Sequence, residues 1–449
     1  MYELTNPQMA FYGLDKAGIG QAVVLCGSVV FSQRVPVEKM QREANELFRL
    51  NDGMRARFVE KDGKVYQEFI PFEERVFDVM RFESKEALDA WCAVYATIPL
   101  KLDIRSEGAG VPKSVWKRSG TSPTLIKNVI LHSAATSMKK LRYGIKTPPA
   151  CCELKLFQLP EASGVILKMH HVVSDAWTML LVANQFLTLL KGETPKVYQY
   201  EEFVRSQEEY GKSRRAQRDR AFLAQQYERC PEATLVWPQP VTNLTAARAS
   251  CSMDQDLTNR IRAYALRHGI SPYILFLTAV GVFAWRRLKR DMFYVGSVVI
   301  GRTGVRERNT VGLFVNAVPL LMAFQKDETF GETVLRLRDA NFSCFRHEKG
   351  NTDNSTSKLL YDLWISYQEA ALEADDTAEV TQYYCNYTAA MKIFTVEDRA
   401  KEGRFKLHFD HNLLVPEADV EELFRVVMDV LQKGVEDDSR KIGELGKSF

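Results

Sequence analysis

Apolar and polar positions along the chain fall into two periods. The pattern from Gln21 to Phe31 predicts a strand, Arg55 to Ile70 a hairpin turning at Asp62-Gly63, and Met292 to Ile300 a buried strand. Apolar residues at Val37, Met40, Ala44, Leu47 and Phe48 have helical spacing and predict a helix over Val37 to Leu50. Ser271 and Pro272 suit the N-cap and first position of an apolar helix that runs through Phe276, Val280 and Phe283 to Arg287. Val420 to Leu431 closes the chain as an amphipathic helix, and the Arg-, Gln- and Glu-rich run from Glu201 to Glu228 reads as a solvated helical connector between two halves. The mixed order of strands and helices predicts an α/β protein with two lobes.

One strand ends in chemistry. Val165, Leu167, Met169 and His171 lie on one face of a period-two pattern, and Ile166, Lys168 and His170 on the other, so only one histidine faces a given cleft. From Ala176 onward, Trp177, Leu180, Leu181, Leu187 and Leu190 recur at helical spacing, with Ser174 or Asp175 as the cap. His171, a short turn from Asp175, is the candidate for catalysis; the plain alternative is a buried histidine satisfied by a carbonyl, with Asp175 only a cap.

Composition narrows the class. The 449 residues exceed the usual size of one domain, and net charge +3 with 26% charged residues gives no overall bias toward nucleic acid. Eight scattered cysteines, without a CxxC pair, read as reduced thiols of a cytoplasmic protein and not as a metal site. No basic leader precedes an apolar run, and no run reaches the ~18 residues of a membrane span, so a soluble protein is expected.

The stretch Met169-His170-His171-Val172-Val173-Ser174-Asp175-Ala176-Trp177 resembles the HHxxxDG signature of the condensation domains of nonribosomal peptide synthetases, within the chloramphenicol-acetyltransferase-like superfamily. Four further elements share the resemblance in the family's order: Leu4 to Tyr12, the opening motif; Asn51 to Phe58, similar to RHExLRTxF; Tyr198 to Phe203, similar to YxDFA; and Val311 to Ala317, similar to VGxFVNT and preceded by Gly301-Arg302. Ala176 stands for the usual Gly, Ala317 for Thr, and Asn51-Asp52 for His-Glu, while Arg346 to Lys349 keeps only a remnant of a late motif and Asn351 to Ser357 reads as a loop.

The resemblance implies two acyltransferase-like subdomains, over 1–190 and 191–449, forming a V-shaped pseudo-dimer with an active-site tunnel. About forty residues are inserted in the first, over 103–150, rich in Lys and Arg and suited to an acidic carrier protein or a phosphate-bearing arm, or to a solvated surface excursion. It implies amide-bond formation between a carrier- or CoA-bound acyl donor and an aminoacyl carrier, without an organic cofactor or metal in the domain itself, the 4'-phosphopantetheine belonging to the carriers. His171 is then base or positioner, and Asp175 a loop-holding carboxylate paired with Arg55 in the first place and Arg302 in the second. His170 supports, Asn316 shapes the channel or meets the phosphopantetheine arm, and Trp177 and Arg302 are further substrate or phosphopantetheine contacts; Arg306 and Arg308 suit a phosphate or bulk solvent. Motifs starting close to Met1 favour a starter type that N-acylates a first amino acid, with neighbouring adenylation and carrier domains as partners. A stand-alone acyl-CoA-dependent acyltransferase and a catalytically degenerate docking platform are the alternatives.

Overall fold

The Asp62-Gly63 turn forms as its residue types require: both have positive φ, 51° and 73°, which Gly adopts freely and Asp tolerates. It joins strands Ala56–Lys61 and Lys64–Phe69, which pair antiparallel with Lys61 opposite Lys64. The computed structural model describes residues 1–106, 150–238, 245–350, 361–368, 377–388, 391–399 and 403–447. Most of the expected basic insert and the loop Asn351 to Ser357 lie outside the described residues.

The chain forms two units. The first gathers Met1–Lys212, Gly301–Phe314 and Leu372–Cys385; the second gathers Ser213–Ile300, Val315–Ala371 and Asn386–Phe449. The two units divide at 212/213, and two later segments belong to the first. The expected solvated connector is two helices, Tyr200–Gly211 and Arg214–Glu228, one in each unit. Each buries one stripe, Tyr200 and Val204 in the first and Ala216, Asp219 and Leu223 in the second.

Among the described residues the first unit holds two sheets. The hairpin, flanked by Tyr2–Glu3 and Ile104–Ser106, makes the four-stranded one. The five-stranded one runs in the order Ala378–Tyr383, Val24–Phe31, Ser163–His170, Cys152–Gln158, Val79–Arg81, so the histidine strand is central. Helices Val37–Leu50 and Ala176–Leu190 pack on this sheet through Met40, Ala44, Leu47, Phe48, Leu181 and Phe186, all buried.

The second unit has a six-stranded sheet in the order Asn316–Ala323, Met292–Val299, Leu363–Gln368, Lys392–Arg399, Arg404–Asn412, Ala246–Ser252. Helix Pro272–Leu288 is buried continuously from Tyr273 to Trp285 in its core, with Ser271 as N-cap accepting the Tyr273 N–H. Helix Glu417–Glu436 packs against it and extends beyond the predicted Val420 to Leu431 at both ends.

The central histidine strand leaves no room at Gly164, where a Cβ would lie 2.1 Å from the Val29 carbonyl oxygen and 2.3 Å from the Phe157 ring. Gly164→Ala is expected to destabilise the first unit by about 1–3 kcal/mol through overpacking, read as a lowered urea midpoint by intrinsic fluorescence.

Candidate active site

Every position of Ser163–His170 is buried, and the ladder ends where His170 pairs with Val24. His171 is not on the strand face with Met169, as the alternation predicted; it begins a 3-10 turn over His171–Val173. The cause is local. His170 Nδ1 accepts the Val172 N–H at 3.0 Å, which turns the chain out of the sheet, and Ser174 Oγ donates to the His170 carbonyl at 2.9 Å. An Nδ1 that accepts places the His170 proton on Nε2, which lies 3.7 Å from Asp15 Oδ1. His170 is thus wholly buried and shapes the turn.

The next helix starts at Ala176 with Asp175, not Ser174, as cap: Asp175 Oδ1 accepts the Thr178 N–H at 2.7 Å. The same carboxylate holds a distant segment of its unit. Arg302 Nη2 donates to Oδ1 at 3.0 Å and Oδ2 at 3.1 Å, and the Phe314 N–H donates to Oδ2 at 3.0 Å. The expected first partner, Arg55, is elsewhere, donating to the carbonyls of Phe48 and Ile70 at the base of the hairpin.

Arg302 is among the most buried large side chains of the protein. Its Nη1 donates to the carbonyls of Glu307 and Thr310, its Nη2 also to Thr178 Oγ1 and the Gly312 carbonyl, and its guanidinium lies 4.0 Å over the Phe314 ring. Burial lowers its pKa and Asp175 opposes that shift, as a buried cation with one carboxylate partner requires. Both terminal nitrogens of Arg302, expected to contact substrate or phosphopantetheine, donate to protein groups.

His171 stacks on Phe11, with ring centroids 3.9 Å apart and planes at 8°. Phe11 comes from helix Asn6–Lys16, whose Gln8 donates to the Val172 carbonyl at 3.0 Å and exchanges hydrogen bonds with Gln67. Phe11, Gln8 and Gln67 are site residues that pattern reading did not assign, although the first two lie in the opening motif. Desolvation pushes the His171 pKa from 6.5 down to about 4, with the Asp175 charge pulling the other way. Nδ1 is buried without a hydrogen-bond partner. Desolvation thus favours the neutral ring.

The other expected residues have structural partners. Trp177 spends its single donor, Nε1, on the Arg308 carbonyl at 3.0 Å, and Arg306 pairs with Glu202. The departures from the family pattern are employed as well: Asn51 donates to Gln185 Oε1 at 2.7 Å, and Asp52 accepts the N–H groups of Tyr200 and Glu201, capping that helix. Asn316 belongs to the second unit, where its Nδ2 donates to the Glu348 carbonyl at 2.9 Å. Among the described residues no group of three His, Cys, Asp or Glu side chains is placed to hold a metal ion. No single helix among them is long and apolar enough to cross a membrane.

A strand ending in His-His, a carboxylate capping the following helix and a buried arginine answering it are the geometry behind the signature, and a family model for the condensation domain matches residues 136–444. The chain belongs to the condensation domain family. Members of the family form amide bonds, an acyltransferase-type reaction. This condensation domain is 23% identical over 301 residues to gramicidin S synthase 2 of Brevibacillus brevis, an alignment covering 62% of the chain and 7% of that protein. It is 21% identical over 271 residues to bacitracin synthase 2 of Bacillus licheniformis, covering 55% and 10%. The chain therefore spans only a small part of these relatives.

Among solved structures, the first condensation domain of the calcium-dependent antibiotic synthetase, in complex with a substrate analogue, superposes with TM-score 0.75 at 16% identity, covering 99% of this chain and 98% of that one. The starter condensation domain of rhizomide synthetase in complex with C8-CoA gives TM-score 0.75 at 13% identity, covering 99% and 97%. These likenesses establish the chloramphenicol-acetyltransferase-like fold of this condensation domain.

Two outcomes follow from the geometry. Arg302→Ala leaves the Asp175 charge buried without its cation and is expected to cost about 3–5 kcal/mol, measured by chemical denaturation; Arg302→Lys recovers little, because an ammonium cannot replace the fork. The His171 imidazole signals should stay constant from pH 8 to 5.5 by NMR, and a midpoint near 6.5 would refute its desolvation. A folded pKa below the unfolded one means that the folded state binds fewer protons between pH 6.5 and 4. The stability this group confers is thus full above 6.5 and falls as pH drops through that window.

Proposed function

We propose that this condensation domain joins an acyl group held as a thioester on a carrier protein or on CoA to the amino group of an aminoacyl carrier, N-acylating a first amino acid. The observation that carries the reading is the position of His171, directly after the histidine strand and stacked on Phe11. The Nδ1 of His171 is sealed, so Nε2 is the position for chemistry.

In the reaction the amine nitrogen attacks the thioester carbonyl, a C–N bond forms, the C–S bond breaks and the thiol leaves. The amine must shed one proton on the way. A neutral imidazole can accept that proton or hold the amine by hydrogen bonding, and desolvation, which lowers the His171 pKa, favours the neutral form. Bringing two tethered reactants together supplies a further share of the rate. Asp175 and Arg302 act through the loop they fix, so their part is positioning. The 4'-phosphopantetheine arms arrive with the carriers, and neighbouring adenylation and carrier domains are the expected partners.

The test is a single-turnover assay read by intact mass of an aminoacyl-loaded carrier, mixed with acyl-CoA and acyl-carrier donors. Wild type should add one acyl mass, and His171→Ala should reduce the rate by at least about 100-fold, the low end for losing a positioned acid–base group. Acylation of a free small acceptor without any carrier would favour a stand-alone acyltransferase. No transfer from any donor, with carrier binding retained, would leave a docking platform.

A further inference from the structure

We propose that the second unit carries a small-molecule site of its own, for a linear aliphatic chain ending in an anionic head group, in the cavity beside the edge strand Asn316–Ala323. The pocket opens to solvent on one side, where Gln325, Ala340 and Ser343 are exposed. This cavity measures about 520 Å³, within the roughly 300–1,000 Å³ of small-molecule sites. It shares no lining residue with the His171 site, and the inference does not rest on acyl transfer.

The lining sorts into an apolar body and a cationic rim. Leu320 and Met322 of the edge strand, Leu277 of the core helix, and Leu337 of helix Phe330–Arg346 are buried side chains that form the body. Met292 and Met322 add unbranched thioethers that adapt to a chain of variable shape. Arg229 and Arg336 lie in the same lining, which contains no Asp or Glu.

The two arginines differ in availability. Arg336 is paired with Glu328 through Nε at 2.8 Å and Nη2 at 2.6 Å. Among the described residues Arg229 makes no ion pair, and its side-chain hydrogen bond is to the neutral Gln226 Oε1, at 3.2 Å. Its charge reaches the cavity wall: burial pushes the Cys344 thiol up to about 11, and Arg229 is the charge that opposes the shift. A guanidinium fork without a carboxylate partner among the described residues, at the rim of an apolar pocket, suits a carboxylate or phosphate ester whose chain lies along the pocket.

Calorimetric titration of the full chain with decanoate, decyl phosphate and the neutral decanol separates body from head and one head from the other. Saturable one-to-one binding of at least one anion is expected. Arg229→Gln should weaken that anion about tenfold, the size of one lost hydrogen bond to a charged group, and leave decanol unchanged. Ala340→Trp, at an exposed lining position, should block all three ligands, with circular dichroism showing that both variants are folded. No saturable binding of either anion, binding unaltered by Ala340→Trp, or equal weakening of anion and alcohol by Arg229→Gln would overturn the proposal.

Discussion

The buried Asp175 carboxylate is the point on which the site depends. It caps the helix Ala176–Leu190, takes the Phe314 N–H and meets Arg302, so one side chain fixes a helix start and a loop more than a hundred residues away. A charge taken out of water needs both a counter-charge and hydrogen bonds for its remaining lone pairs, and Asp175 has both. The turn that carries His171 lies between this cap and the strand end, which leaves the imidazole a narrow range of positions. The same geometry explains why Ala176 can replace the family's Gly. Position 176 is the first helical residue, whose backbone conformation any L-residue adopts, so a Cβ there brings no strain.

Four of the motifs meet within the first unit, through Phe11, Asp52, Tyr200 and Phe314. Tyr200 and Phe203, from the element similar to YxDFA, pack on Phe314 with ring centroids 5.5 and 4.2 Å away. Tyr200 donates its hydroxyl to the Leu313 carbonyl, and Asp52, from the second element, caps the helix that Tyr200 begins. The opening motif supplies Phe11 beneath His171 and Gln8 against Val172. Elements spread over some three hundred residues of sequence are therefore one scaffold.

How much of this was legible depends on the range of the interaction. Local rules carried the Val37–Leu50 helix, the Asp62-Gly63 hairpin and the Ser271-Pro272 helix start, because propensity, capping and turn chemistry lie within a few residues. The departure of His171 from its strand turned on one side chain, since His170 Nδ1 competes for the Val172 N–H that a continued ladder would have used. Pairing was harder still. Arg55 and Arg302 are both arginines beside family motifs, and only packing shows that one reaches Asp175 while the other closes a hairpin. The partner of Asn316, the Glu348 carbonyl within the second unit, is likewise set by packing beyond the reach of local rules.

Why a charged strut should stand where leucine or methionine would be cheaper to bury follows from the loop it holds. Gly301–Phe314 has only one short helix, Val305–Arg308, so most of its carbonyls lack partners from regular structure and would be costly to bury unmet. A guanidinium has five donors in a rigid fork, and Arg302 uses its terminal nitrogens on the carbonyls of Glu307, Thr310 and Gly312 as well as on Asp175. It thus does for an irregular loop what a neighbouring strand does for a sheet. An apolar residue of equal volume would fill the space but leave those carbonyls and the Asp175 charge unanswered. Position 302 therefore calls for arginine even though its side chain never meets solvent.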